Sequence, residues 1–250
     1  MKYAIVGYGR MGREIELQAR NRGHTGVAII DPAAGGAAHR TIEPEALAGA
    51  EVAFEFTCGD AAEENILALL GAGVSVVCGT TGWKRAAALE DEARKHNAGA
   101  VVAPNFSVGM NLFYRLVREA GRLYGAAGLH EPYIFEAHHR GKGDAPSGTA
   151  RQLASILLEV DKRLLRVQEG NPEGKLPDGT LHVASLRAGS EPGSHTIGFD
   201  GEFDSVTLHH AMRSRAGFAL GAVLAAEWLR GKSGLYTFED VLQDMIEPRT

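Results

Sequence analysis

The sequence is short of the features that mark several protein classes. It has two cysteines, Cys58 and Cys78, which form no CxxC. Set inside apolar runs, they make neither a disulfide framework nor a thiolate metal site, and they read as small buried side chains in a reducing compartment. Positive charge is in deficit, 26 Lys and Arg against 31 Asp and Glu for a formal net charge of −5. That argues against nucleic acid as a partner, which wants a strongly basic domain. No apolar run reaches the ~18 residues that cross a bilayer. The opening MKYAIVGYGRMG puts glycines where a signal peptide keeps a long apolar stretch, so a cytoplasmic protein with no membrane partner is expected. HExxH and spaced Cys/His clusters are missing, so no metal is expected. G-x-S-x-G is missing too, which removes serine-hydrolase chemistry. Prolines number only 9 and the glycines follow no period, which excludes collagen-like and low-complexity chains.

What is present is an ordinary globular balance, 44% hydrophobic and 23% charged residues, enough to bury a sizeable core. The length of 250 residues allows one large domain or two modest ones. Glycine is the outlier, at 32 residues of 250 against a usual share of about 7%. The surplus belongs at turns and at close backbone approaches.

Through the first hundred residues, short apolar runs alternate with helical stretches. Runs at 3–7, 27–31, 51–57 and 74–79, and one starting at 101, predict strands. Helices are predicted at 12–22, where Ile15 and Ala19 stand four apart, at 61–70, with an Ile66, Leu69, Leu70 stripe, and at 84–97. Continuous apolar strands alternating with helices imply a parallel sheet covered on both faces. After Asn105 the pattern changes. Helices are expected at 110–124, 150–160 and 218–230, a short amphipathic one near Met245, and a strand at 133–139. From Thr180 come period-two stretches of Val, Thr, Ser and His; residues 194–199 and 202–208 flank Asp200-Gly201, a pair suited to a tight hairpin turn. The fold class is α/β: a Rossmann-like doubly wound parallel sheet with a second α+β domain built on a mixed sheet.

Gly7-Tyr8-Gly9-Arg10-Met11-Gly12 matches G-x-G-x-x-G directly after a strand and at the opening of a helix. The first glycine permits the tight turn, the second lets backbone approach a pyrophosphate, and the third lets helix pack on strand. The phosphates then meet the N–H groups and positive dipole end of the helix. Asp31 ends the second strand about 20 residues on, where a carboxylate binds ribose hydroxyls. Pro32, Ala33 and Ala34 follow it, with no arginine or lysine beside it to receive a 2′-phosphate. The cofactor expected is NADH and/or NADPH, with NADH favoured, although Arg10 could still reach across.

The densest polar stretch is Glu136-Ala-His138-His139-Arg140-Gly-Lys142-Gly-Asp144-Ala-Pro146-Ser147-Gly148-Thr149. Histidine exchanges protons near neutral pH, and a lysine among polar groups can protonate a carbon or bind a carboxylate. Ser-Gly-Thr before a helix offers an anion site suited to a substrate carboxylate. The plainer alternative is a solvated loop with a capped helix. Further on, His209 and His210 precede Arg213 and Arg215; these make either a second anion-binding edge or solvent-facing charges on a sheet.

These residues carry a resemblance. The block from Glu136 to Ala150, together with Gly79-Thr80-Thr81-Gly82, Ala103-Pro104-Asn105-Phe106-Ser107-Val108-Gly109 and Arg187-Ala-Gly189…Gly193-x-His195-x-x-x-Phe199, resembles the 4-hydroxy-tetrahydrodipicolinate reductase (dihydrodipicolinate reductase) family across about residues 3 to 230. The resemblance implies NAD(P)H-dependent reduction of 4-hydroxy-tetrahydrodipicolinate to tetrahydrodipicolinate in diaminopimelate and lysine biosynthesis. It implies His138 as proton donor and acceptor and Lys142 as proton donor. His139, Ser147, Gly148 and Thr149 would hold the substrate carboxylates, with Arg215 or Arg213 at the cleft edge. Gly7, Tyr8, Gly9, Arg10, Met11, Gly12, Asp31, Gly79, Thr80, Thr81, Ala103, Pro104, Asn105 and Phe106 would line the cofactor. It further implies a nucleotide domain of residues 1–105 plus 215–250, a substrate and tetramerisation domain of 106–214, and a homotetramer acting on a small dicarboxylate. Two departures stand out. The glycine loop is one residue shorter than the family's usual G-x-x-G-R-M-G, and the chain is short for the family, with residues 31–41 trimmed. Rival readings are another two-domain dehydrogenase, such as an aspartate dehydrogenase, which would lack the His-His-x-x-Lys-x-Asp-Ala-Pro-Ser-Gly-Thr block, and a dinucleotide-sensing protein without catalysis, against which the intact His138 and Lys142 argue.

Overall fold

Alternation along the first strand sets the architecture of the N-terminal half. In β1 (Lys2–Val6), Tyr3 and Ile5 enter one apolar cluster while Ala4 and Val6 enter another, because successive strand side chains leave opposite faces. All are buried, so the sheet is covered on both sides. The chain is described here by a computed structural model over residues 1–47, 49–84 and 88–247. It divides into one unit of Met1–Val108 with the residues from Arg215 onward, and a second of Gly109–Ser214.

The first unit runs β1, α1 (Arg10–Asn21), β2 (Thr25–Ile30), β3 (Val52–Glu55), α2 (Gly59–Gly71), β4 (Ser75–Cys78), α3 (Ala88–Lys95) and β5 (Gly99–Val102). The six-stranded sheet has the order β11-β5-β4-β3-β1-β2, its last strand coming from the chain's end, and every pairing is parallel. Ile15 and Ala19 of α1 pack on one face with residues near the C-terminus; Ile66, Leu69 and Leu70 of α2 and Leu89 and Ala93 of α3 pack on the other. The helix predicted over 84–97 is observed from Ala88 to Lys95, and residues 85–87 lie outside the described residues. Cys78 is buried, but Cys58 is exposed, because it caps α2 rather than filling a strand.

The second unit contains α4 (Val108–Ala127), β6 (His130–His138), α5 (Gly148–Val160), β7 (Arg166–Glu169), β8 (Thr180–Arg187), β9 (Ser194–Gly201) and β10 (Ser205–Ala211). Its five strands are ordered β10-β9-β6-β8-β7. The two pairings among β6, β7 and β8 are parallel, and those of β9 with β6 and β10 are antiparallel. Leu153 and Leu157 of α5, with Phe113 and Val117 of α4, cover Ile134, Val183 and Ile197 on one face. The other face exposes Tyr133, Phe135 and Leu186.

The hairpin departs from expectation. Asp200 and Gly201 belong to β9, opposite Ser205 and His130 respectively. The chain turns instead at Glu202 and Phe203, closed by the Gly201 N–H donating to the Asp204 carbonyl at 2.9 Å. A Cβ on Gly201 would come 2.9 Å from the His130 ring, so this glycine serves close strand approach, not the turn.

After Ser214 the chain returns to the first unit through α6 (Ala216–Trp228), β11 (Gly234–Tyr236) and α7 (Phe238–Ile246). The short strands β7 and β11 were not predicted, since four and three residues show too little alternation to register.

Packing in the second unit is directly testable. Leu153→Ala should lower stability by about 2–5 kcal/mol in urea unfolding. Phe203→Ala, at 90% exposure, should change it by under about 0.5 kcal/mol.

Candidate active site

The C-terminal ends of the parallel strands carry the first group of candidate residues. Strand order reverses between β1 and β3, and at such a point a crevice opens beyond the strand ends. Gly7 takes φ +92°, and a Cβ there would collide with the Phe56 carbonyl; at Gly12 it would collide with the Gly7 carbonyl. Both glycines are therefore required for α1 to seat against β1. Gly9, by contrast, has nothing within 4 Å of the position its Cβ would take, and α1 has no side-chain cap. An uncapped helix start facing open space fits a pyrophosphate. Arg10 and Gly9 are exposed, and Tyr8 and Met11 half-buried.

Asp31 ties this loop to the end of β2. Its Oδ2 accepts the Tyr8 N–H at 2.7 Å, and its Oδ1 accepts those of Ala33 and Ala34 at 2.8 and 2.7 Å. The Ala33 and Tyr8 hydrogen bonds lead in holding its carboxyl below the usual value. One acceptor position on Oδ2 is left, which suits a ribose hydroxyl. Contrary to the sequence expectation, a basic group does stand beside Asp31. A bridge between Ile30 and His39 folds the chain back, and Arg40 Nη1 donates to the carbonyls of Asp31, Pro32 and Ala34 at 3.3, 3.1 and 3.4 Å. The other cofactor candidates follow β4 and β5. The Gly79 N–H donates to the Glu55 carbonyl at 3.0 Å. Buried Thr80 accepts the Thr57 N–H at 2.8 Å, and Thr81 is exposed. Ala103 is bonded to Cys78, 3.1 Å from N–H to carbonyl. Pro104 is exposed, Asn105 Oδ1 accepts the Ser107 N–H at 2.8 Å, and Phe106 is buried against Phe238.

The second group of candidate residues, in the other unit, sits at the end of β6. Glu136 and His138 point to the same, buried face, and the Glu136 carboxylate is hydrogen-bonded to His138 Nδ1. Arg187 Nη2 donates to Glu136 Oε1 at 2.7 Å, and the Ser147 N–H donates to the same oxygen at 3.3 Å. Burial alone would raise the carboxyl's pKa; Arg187 leads the hydrogen bonds that overcome it, so Glu136 stays below the ordinary value. His138 is depressed, first by burial and then by the Lys142 and Arg187 charges, against an upward pull from Glu136. His195 stands 5.2 Å away, ring to ring, and burial pushes its pKa down to about 4. Lys142 Nζ pairs with Asp144 Oδ1 at 2.7 Å, which leads in holding the Asp144 carboxyl low.

Ser147 caps α5 by accepting the Ala150 N–H, and its hydroxyl also meets His195 Nε2 at 3.2 Å. It is 2% exposed, whereas Gly148 is exposed and Thr149 half-buried at the helix start. His139 is half-buried, with its N–H on the Glu191 carbonyl at 2.8 Å. Arg215 is exposed at the start of α6. Sequence reasoning missed Glu136, Arg187 and His195 as candidate site residues; their presence in the matching blocks was the available signal. It also missed that ligand atoms of Glu136, His138 and His195 lie within 4.8 Å of one another, a metal-capable grouping with no sequence pattern. Here both Glu136 oxygens already accept hydrogen bonds and the Arg187 cation adjoins them, so the group reads as a proton network.

A dinucleotide-binding α/β unit and a second unit with a buried acid–base cluster define an NAD(P)H-type oxidoreductase. Comparison with known proteins narrows this class. The model of the dihydrodipicolinate reductase N-terminus matches residues 1–106, and that of its C-terminus matches 109–242. The chain belongs to the dihydrodipicolinate reductase family. The 4-hydroxy-tetrahydrodipicolinate reductase of Christiangramia forsetii is 36% identical over 255 aligned positions, spanning 99% of this chain and 100% of that protein. That of Methanosarcina mazei is 39% identical over 199, spanning 77% and 73%. Dipicolinate-bound dihydrodipicolinate reductase from Paenisporosarcina sp. TG-14 matches with a TM-score of 0.78 at 25% identity, over 95% of this chain and 97% of that one.

Asp31→Asn should weaken NADH binding about tenfold in a fluorescence titration, because an amide cannot accept all the hydrogen bonds that order the loop, a loss worth ~1.4 kcal/mol.

Proposed function

We propose that this chain reduces 4-hydroxy-tetrahydrodipicolinate to tetrahydrodipicolinate in the cytoplasm, in diaminopimelate and lysine biosynthesis, with NADH as preferred donor and a homotetramer as the working form. The observation that carries the reading is the cluster of His138 on Glu136 and Lys142 on Asp144 beside the N-terminus of α5. When bound, the dinucleotide supplies the hydride. Gly7 to Gly12 hold its phosphates, Asp31 a ribose hydroxyl, and Gly79 to Thr81 and Ala103 to Phe106 its remaining length. The helix start at Gly148 and Thr149, with His139, receives the substrate carboxylates, and Ser147 keeps that helix start in place. His138 Nε2 and Lys142 Nζ are the atoms that move protons.

His138→Ala and Lys142→Ala should each lower kcat by about 100-fold or more in an assay of NADH oxidation with freshly generated substrate, with NADH affinity retained. Near-normal turnover in both variants would remove them from the mechanism.

The NADH preference rests on the Asp31 charge, which repels a 2′-phosphate, and on Arg40 being turned onto carbonyls. Michaelis constants for the two cofactors test it, and a tenfold advantage for NADPH would sink it. The tetramer rests on the exposed sheet face with Tyr133, Phe135 and Leu186, since contiguous exposed apolar side chains mark association surfaces. Phe135→Glu should shift the species seen by light scattering from tetramer to a smaller form.

A further inference from the structure

Glu136 is fully buried, and the chemistry assigned above to His138 gives it no part. Its surroundings come from strand register. Within β6, Glu136 and His138 are two residues apart and share a face. On the neighbouring strand, Arg187 lies directly opposite His138, and its guanidinium crosses to Glu136 Oε1 at 2.7 Å. The same Nη2 also donates to the Asp144 carbonyl at 2.7 Å, on the residue whose side chain holds Lys142. The other carboxylate oxygen binds His138 Nδ1. With Nδ1 occupied by an anion, the imidazole lone pair sits on Nε2. Beside Nε2 stands Gly193, where a Cβ would come within 2.8 Å, so the missing side chain leaves that nitrogen approachable.

We propose that Glu136, fixed by Arg187, is the positioning residue that orients His138, locking Nδ1 as the bound nitrogen and presenting Nε2 to the substrate. The proposal rests on the reading of His138 as the proton carrier. Removing the carboxylate charge takes away the one neighbouring group that raises the imidazole's proton affinity, so the pH limb that belongs to His138 moves to lower pH.

The test begins with unmodified protein labelled with 15N-histidine, whose imidazole nitrogen shifts distinguish the two neutral tautomers. The His138 signal, assigned by its loss in His138→Gln, should show the proton on Nδ1. In Glu136→Gln, kcat should fall roughly 10–100-fold, the usual effect of losing an orienting partner, with KM for substrate changed less than about threefold. The His138 limb of kcat/KM should shift to lower pH. Glu136→Gln should have no further effect on kcat in the His138→Gln background. A proton on Nε2 in the unmodified protein would overturn the proposal. An equal loss from Glu136→Gln in both backgrounds would overturn it as well, by showing a purely structural role. If His138→Gln alone keeps near-normal turnover, the proton-carrier reading fails, and the tautomer signal separately decides the geometry.

Discussion

The candidate proton cluster of the second unit depends on a buried charge. Glu136 is taken wholly out of water, which is tolerable only if its oxygens find donors. They come from separate segments: Arg187 on β8, the Ser147 N–H ahead of α5, and His138 on β6 itself. Stranding such a charge by deleting a partner costs about 3–5 kcal/mol. The carboxylate thus ties β6, β8 and the residue ahead of α5 together around His138.

The same logic runs at lower stakes in the first unit. Asp31 is partly exposed, yet it gathers N–H donors from the glycine loop and from the turn after β2. An anion in each unit organises backbone beside a place proposed for other anions, phosphates in one case and carboxylates in the other. Burial pushes the pKa of His195 down to about 4, which favours its neutral form beside His138.

Much of this was legible from residue order. The G-x-G-x-x-G loop, the β1 to β5 alternation and the block from Glu136 to Thr149 can each be read from residue type and order along the chain, the roles within the last being implied by the family resemblance. The misses were of a different kind. Asp200-Gly201 has turn chemistry, but pairing opposite His130 and Ser205 absorbed it into a strand. Cys58 sits in an apolar run yet faces out, because a helix start follows it. Arg40 is nine residues from Asp31 and was invisible as its neighbour until the chain folded back between them.

Sequence alone determined the class of each unit and pointed to the glycine loop, His138 and Lys142 as the residues proposed for phosphate binding and proton transfer, since these depend on local periodicity and on side-chain type. Tertiary structure decided which nitrogen of His138 is bound, which cation stabilises its partner, and which sheet face is left open. The reason is register. Arg187 stands 51 residues from Glu136 in the chain and reaches it only because parallel pairing of β6 with β8 sets it opposite His138.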